Sequence, residues 1–351
     1  MENSRDRIID LFRGIAIIDM ILVHFSEYFP FLVGKVLSYT DIAMEGFVLL
    51  SGFMVGRHYY EKYLGNGKSV TRRLLIRALQ ILLVQYVLIY TINLPLYYLI
   101  YEKIREAESV SNFLLKSMLL LNQIGIMHIL PTFVPLFLIS PVILYLLSKK
   151  LDFVVISSSI FLFAIGNIYP YALDISEKTI FPFILWQIYF VAGCFLGRIA
   201  YAKNEIGPEN INKYLYASML LLLSAMFIKH GKVIPASLTS KFPLNALGLL
   251  YGSSILFATY AFILRYWDIF LKKIVLFSYY LPLFGRHSLL VFVLHVYTAK
   301  VILFINHSYN VNTHLNYLLI SLSVMAIFKI VHYYETTEKR NYLYLLLDRL
   351  F

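Results

Sequence analysis

Apolar runs long enough to cross a bilayer recur along the whole chain, separated by short polar stretches rich in Lys and Arg. A membrane helix needs about 20 predominantly apolar residues. On that length the runs predict ten spanning helices, at 8–29, 40–61, 74–101, 126–148, 152–169, 183–202, 212–229, 244–265, 281–306 and 314–334. The segment 109–123, SVSNFLLKSMLLLNQ, is apolar but shorter, and predicts an interfacial or re-entrant helix. The stretch 128–141, HILPTFVPLFLISP, holds three prolines, which would break an unsupported helix. Broken helices at membrane depth are tolerated where they line a cavity or are buried in protein. The pattern predicts an all-α, polytopic membrane protein: one membrane domain over residues 1–335 and a short amphipathic tail over 336–351.

Charge orients this arrangement. With a cytoplasmic N-terminus, 19 of the 31 Lys and Arg fall in inside segments and 8 in outside segments, while Arg13, Arg286, Lys300 and Lys329 lie within spans. That bias is the positive-inside pattern and predicts both termini in the cytoplasm. Composition agrees: the chain is 60% hydrophobic and 15% charged, against roughly 45–50% and about 25% in soluble domains. A net charge of +11 could suggest nucleic acid, but the basic residues sit in short loops between spans, so no nucleic-acid partner is expected. The basic start runs straight into a full-length apolar run, so no cleavable signal is expected. Cys194 is the only cysteine, which excludes an intrachain disulfide and a multi-cysteine metal site; no metal is expected.

The first run, Arg7 to Tyr28, carries Asp10, Arg13, Asp19 and His24 among apolar neighbours. Ionisable groups in a membrane helix are costly and usually face a partner, a cavity or a substrate. Arg13 and His24 are eleven residues apart, close to three turns, so they leave the helix on nearly the same face, separated by roughly 16 Å along the axis. One face thus presents a permanent cation and, well above it, a titratable base. Ordinary helix–helix pairing could account for any one of these groups; four in one helix, two of them aligned, favour function.

Other candidates lie further along the chain. Asp41 and Glu45 lie one turn apart near the outer end of the second span, at the depth of His24. A carboxylate there can orient an imidazole and favour its protonated form. Ser51 and Gly52 form a small pair best explained by close helix packing. Arg73 and Arg77 share a face with Gln80 at the inner mouth of the third span. Two guanidiniums suit a phosphate clamp, although a basic cluster there is more commonly an orientation signal or a lipid contact. His128 sits at the outer mouth of the fourth span. Trp186 is most simply an interfacial anchor. Arg286 and His287 open the ninth span; His295, more than two turns deeper, reads as a satisfied core histidine more readily than as a catalyst.

These residues resemble a known family. Arg13-x10-His24 within RIIDLFRGIAIIDMILVH is similar to the first-helix signature of the acyltransferase-3 superfamily of integral membrane proteins. EGFVLLSGF at 45–53, Arg73-x3-Arg77 and GRHSLLVFVLH at 285–295 resemble three further motifs of that superfamily, in the same order. ILPTFVPLFLISPVILYLL and ILWQIYFVAGCFLG look closest to its branch that succinylates periplasmic glucans. The pattern departs at Glu45-Gly46-Phe47, where the superfamily often has paired aromatics and the glucan branch more often a carboxylate.

The resemblance implies a membrane O-acyltransferase moving an acetyl or succinyl group from cytoplasmic acyl-CoA to a carbohydrate or glycolipid acceptor, in a multi-pass protein of a bacterial-type inner membrane. Arg13, Arg73 and Arg77 would hold the coenzyme A phosphates. His24 would be the general base or a transient acyl carrier, oriented by Asp41 or Glu45. Asp10, Asp19, Ser51, His128, Trp186, Arg286 and His295 would contact substrate. The partners to consider are the bilayer, the acceptor and a second copy of the chain as a homodimer. Two other functions fit the same residues. An ion-coupled transporter could use Asp10, Asp19, Glu45 and His24 as a relay. A scaffold without activity would need none of them.

Overall fold

Long apolar segments form helices throughout, the fold that satisfies backbone polar groups within one segment. The computed structural model describes residues 7–26, 33–34, 36, 41–93, 95, 109–121, 129–174, 181–203, 211–230, 243–266, 274–309 and 312–336, and among these no strand occurs. The helices are α1 (Arg7–His24), α2 (Ala43–Met54), α3 (Tyr60–Leu88), α4 (Val110–Met118), α5 (Ile129–Ser148) and α6 (Asp152–Ile168). They continue with α7 (Phe183–Lys203), α8 (Ile211–His230), α9 (Ala246–Arg265), α10 (Leu281–Arg286), α11 (Ser288–Tyr309) and α12 (Thr313–Thr336). Six helical stretches are long and apolar enough to cross a membrane: 43–92, 129–148, 183–200, 246–265, 288–306 and 313–336. Large apolar side chains such as Phe153, Phe161, Leu220, Leu223 and Met325 are exposed on the outside. Surfaces of this kind suit contact with lipid rather than water.

Three expectations need correction. The second and third spans are not separated by a loop: helix runs from Ala43 to Ile92, through a π turn at Val55–Tyr59 and a kink at Asn66, where φ is −150° and ψ is 83°. Asn66 caps the helical segment beyond the kink, its Oδ1 accepting the Ser69 N–H at 3.0 Å. An Asn side chain can satisfy an orphan donor at a restarting helix, so the chain turns within one residue. Second, the prolines do not break α5, which is continuous through Pro135 and Pro141. Pro131 stands in the first turn, where a missing N–H costs nothing, and the rest of the helix packs against α3. Third, Trp186 is no interfacial anchor. It is completely buried, edge-on to Phe181 at 5.4 Å and stacked on Tyr189 at 5.8 Å. The short segment at 109–123 is a nine-residue helix, capped by Ser109 accepting the Asn112 N–H at 3.4 Å. At about 1.5 Å per residue it is too short to span.

Glycine sets the closest approaches. Gly52 and Gly56 on one side, and Gly193 and Gly197 on the other, place α2 and α7 backbone against backbone. A Cβ at any of the four would run into a carbonyl oxygen, of Phe190, Cys194, Leu49 or Phe53 respectively. Two small-x-x-x-small faces meeting this way let van der Waals contact replace the hydrophobic drive that is missing inside lipid. The expectation that Ser51–Gly52 marks close helix packing is met at Gly52. α1 meets α10 in the same manner, through Gly14 against Leu281 and Gly285 against Asp10. Polar links complete the frame. Gln187 of α7 exchanges two hydrogen bonds with Ser159 of α6, accepting from its hydroxyl at 2.7 Å and donating to its carbonyl at 2.8 Å.

Candidate functional site

α1 is held at both ends by its charged residues. At its start, the buried Asp10 faces Arg286 of α10, with Oδ2 and Nε 3.9 Å apart. Arg286 also pairs with Glu335 of α12, and Glu335 Oε2 lies 2.7 Å from His287 Nε2. Asp10 and Arg286 are thus brought together in one network joining α1, α10 and α12. Further up, Asp19 Oδ2 accepts the Ile42 N–H at 2.8 Å, tying α1 to the entry of α2. Asp41 Oδ1 accepts the Ala43 N–H at 3.4 Å.

His24 closes α1 and meets His295 of α11. His24 Nδ1 and His295 Nε2 are 2.9 Å apart, with the rings 6° from coplanar. His295 is fully buried, and its Nδ1 lies 2.7 Å from the Phe292 carbonyl oxygen. That carbonyl can only accept, so His295 Nδ1 carries the hydrogen. In a neutral imidazole the other nitrogen, Nε2, must then accept. His24 Nδ1 therefore donates to it, and His24 Nε2 keeps its lone pair. The network assigns this tautomer. A ring whose far nitrogen is committed to an orienting partner presents the other as a base, the usual logic of oriented histidines. The partner that orients His24 is His295, in place of the Asp41 or Glu45 carboxylate expected. The charges of Asp41 and Lys300 lie within electrostatic reach of the His24 ring.

Glu45 belongs to a different polar centre. It is buried on α2 and faces α9 and α7: a Cβ at Gly252 would stand 2.6 Å from Glu45 Oε1 and 3.0 Å from the Tyr189 hydroxyl. That hydroxyl donates to the Leu249 carbonyl at 3.1 Å and accepts from Ser253 at 3.3 Å. Gly252 leaves the space that the carboxylate fills.

The three arginines expected at the inner mouth lie on two elements. Arg13 is half-buried on α1. Arg73 is exposed on α3, while Arg77 is half-buried and donates to Gln80 at 3.4 Å. A groove beside the Asn66 kink is lined by Tyr63, Gly67, Lys68, Thr71, Arg72, Leu75, Ile76 and Leu79. None of its lining comes from α1 or α11, so it is separate from the histidine pair. Ser51 is half-buried next to the glycine contact. His128 lies outside the described residues. Among the described residues no group of three or more His, Cys, Asp and Glu is arranged to hold a metal ion.

Reading the residues alone undervalued His295, because a lone histidine in a late apolar run carries no local sign of the partner it meets.

Fold and site together define a multi-pass helical membrane protein with an oriented histidine pair buried in its helix bundle. The profile of a family described as OpgC protein matches residues 5–340, and the chain belongs to that family. This corrects the resemblance to the acyltransferase-3 superfamily: the matching family is OpgC, which is similar to succinyltransferases of osmoregulated periplasmic glucans. Short spacings such as Arg-x10-His and Arg-x3-Arg fix only which side chains share a helix face, which is too little to separate one family of membrane proteins from another. Membership suggests an acyltransferase acting on periplasmic glucans. No curated protein matches the chain, and no solved structure does.

Proposed function

We propose that the protein transfers an acyl group, succinyl or acetyl, from cytoplasmic acyl-CoA to a hydroxyl of a periplasmic glucan. The observation that carries this reading is the His24–His295 pair, which leaves His24 Nε2 free to take a proton. In the transfer, the acceptor oxygen bonds to the acyl carbon as its proton passes to Nε2. The thioester C–S bond then breaks, and the proton goes on to the departing sulfur, giving free coenzyme A. His295 serves by holding the ring and by accepting from Nδ1 as charge develops, and the Asp41 carboxylate favours that charge. The roughly 16 Å from Arg13 to His24 is comparable to an extended pantetheine arm, so Arg13, Arg73 and Arg77 are the proposed phosphate grip. Ten spans with both termini cytoplasmic put that grip inside and His24 toward the outside, as transfer across a membrane requires.

The test is direct. Purified protein in lipid nanodiscs is given radiolabelled succinyl-CoA or acetyl-CoA and a glucan. Wild type should label the glucan, and His24→Gln, which can hydrogen-bond but cannot take a proton, should not. Labelling by His24→Gln at the wild-type rate would remove His24 from the chemistry.

A further inference from the structure

The groove beside the Asn66 kink takes no part in the chemistry above, and its walls change character along α3. Charge is dense from Arg57 to Arg73, with Glu61, Lys62, Lys68 and Arg72 between them; from Leu74 to Ile92 only Arg77 is charged. In a chain that crosses a bilayer, such a change marks the level where headgroups give way to hydrocarbon. The groove straddles that level, with Lys68, Thr71 and Arg72 on its polar side and Leu75, Ile76 and Leu79 on its apolar side. Lys68, Arg72, Leu75, Ile76 and Leu79 fall within one helix face by the helical period, and all five are exposed. The opposite face, Val70, Leu74, Ala78 and Ile81, is buried. Among the described residues neither Lys68 nor Arg72 has an ion-pair partner. Tyr63, from across the kink, closes the polar end: its ring rests against Gly67, where a Cβ would stand 3.2 Å from Tyr63 Cζ.

We propose that this groove holds an anionic phospholipid of the surrounding leaflet, its phosphate between Lys68 and Arg72 and one acyl chain along Leu75, Ile76 and Leu79. Both the charge and the order of the walls fit such an amphiphile. A phosphodiester suits the two cations, Arg72 offering a planar fork of donors and Lys68 a point charge. A zwitterionic phospholipid brings an ammonium of its own, which would face them at like charge. A soluble phosphate ester would leave the three apolar side chains uncovered, whereas a lipid chain covers them. From Arg72 to Leu79 the helix rises about 10 Å at about 1.5 Å per residue. That is most of one leaflet's half of a hydrocarbon core about 30 Å thick.

The test uses the full-length protein in detergent, mixed with equal amounts of dioleoylphosphatidylglycerol and dioleoylphosphatidylcholine, with retained lipid counted by native mass spectrometry. Wild type should retain phosphatidylglycerol in roughly ten- to thirtyfold preference, the combined effect of two cations near a charged headgroup. Lys68→Gln with Arg72→Gln should bring the ratio close to one, and the charge-keeping Lys68→Arg with Arg72→Lys should hold most of it. Lys149→Gln with Lys150→Gln removes the same charge from another exposed turn and should leave the preference intact. Neither coenzyme A nor glycerophosphoglycerol, the headgroup without chains, should displace the lipid. Displacement by coenzyme A would make the groove a nucleotide site, and displacement by glycerophosphoglycerol a site for soluble phosphate esters; either overturns the proposal. So does a wild type without preference, a preference that survives the loss of Lys68 and Arg72, or one lost equally with Lys149 and Lys150.

Discussion

At the scale of single residues, the tautomer of His24 is the decisive feature, and it depends on a carbonyl, at Phe292, that His24 itself does not touch. Replacing His24 with Ala should lower turnover by roughly two to four orders of magnitude, the usual loss for a general base. Donor binding should persist, because the proposed phosphate grip lies three turns away; isothermal titration with a non-transferable coenzyme A thioether checks it. His295→Gln tests positioning: kcat should fall with KM little changed, and the pH–rate profile should move, which a packing defect alone would not produce. A second titrating group lies outside the spans. Asp174, in the connection before α7, accepts the Phe183 N–H with both carboxylate oxygens, at 3.2 and 3.1 Å. Burial pushes its carboxyl up to about 6, against the downward pull of that backbone hydrogen bond. The folded state then holds a proton that the unfolded state releases at lower pH, so this contribution to stability is present below about pH 4 and is lost as pH rises through about 6. Asp174→Asn keeps an acceptor for Phe183 and should flatten the dependence of melting temperature on pH over that window.

At the scale of elements, stability concentrates where backbones touch. α2 and the π turn that extends it are joined to α7 through Gly52, Gly56, Gly193 and Gly197, each against a carbonyl of the facing segment. Gly52→Ala must push the two helices apart, at a cost of about 1–3 kcal/mol by overpacking, and Gly193→Ala should behave alike. Gly65, with nothing within 4 Å of its would-be Cβ, is the control and should be nearly neutral when changed to Ala. Thermal unfolding followed by size-exclusion profile in detergent distinguishes the two classes. The same principle places the site: the Gly14 and Gly285 contacts draw α1 onto α10, and α11 comes directly after α10. The two histidines meet as a consequence of that approach.

At the scale of the whole molecule, the proposed ten-span arrangement predicts which loops share a side of the membrane. Cysteines placed at Lys68 and Lys116 should label from opposite sides with an impermeant maleimide, and labelling from one side would reject the topology. Cys194 is buried and will give little background. The network of Asp10, Arg286, His287 and Glu335 ties α12 to α1 at one end of the bundle.

Much of this was legible in the residues taken one helix at a time. Helix positions follow from runs of apolar residues, because a bilayer allows few other solutions. The alignment of Arg13 with His24 follows from the helical period, and the importance of α1 from the cost of its charges in lipid. Contacts between distant helices were not legible. His24 and His295 are 271 positions apart, and no local periodicity says which of several buried polar groups will face each other. For the same reason the carboxylates expected to orient His24 are engaged elsewhere: Asp41 accepts the Ala43 N–H at the start of α2, and Glu45 turns to α9. Trp186 shows the limit from the apolar side. A tryptophan near a helix end fits an interface equally well by sequence, and only the packing of Phe181 and Tyr189 around it made it core. Sequence determined the class of protein, a helical membrane protein with ionisable groups inside its apolar runs, since that follows from local composition and period. Tertiary structure decided which groups meet, since meeting is a property of helix pairs brought into contact by their glycines.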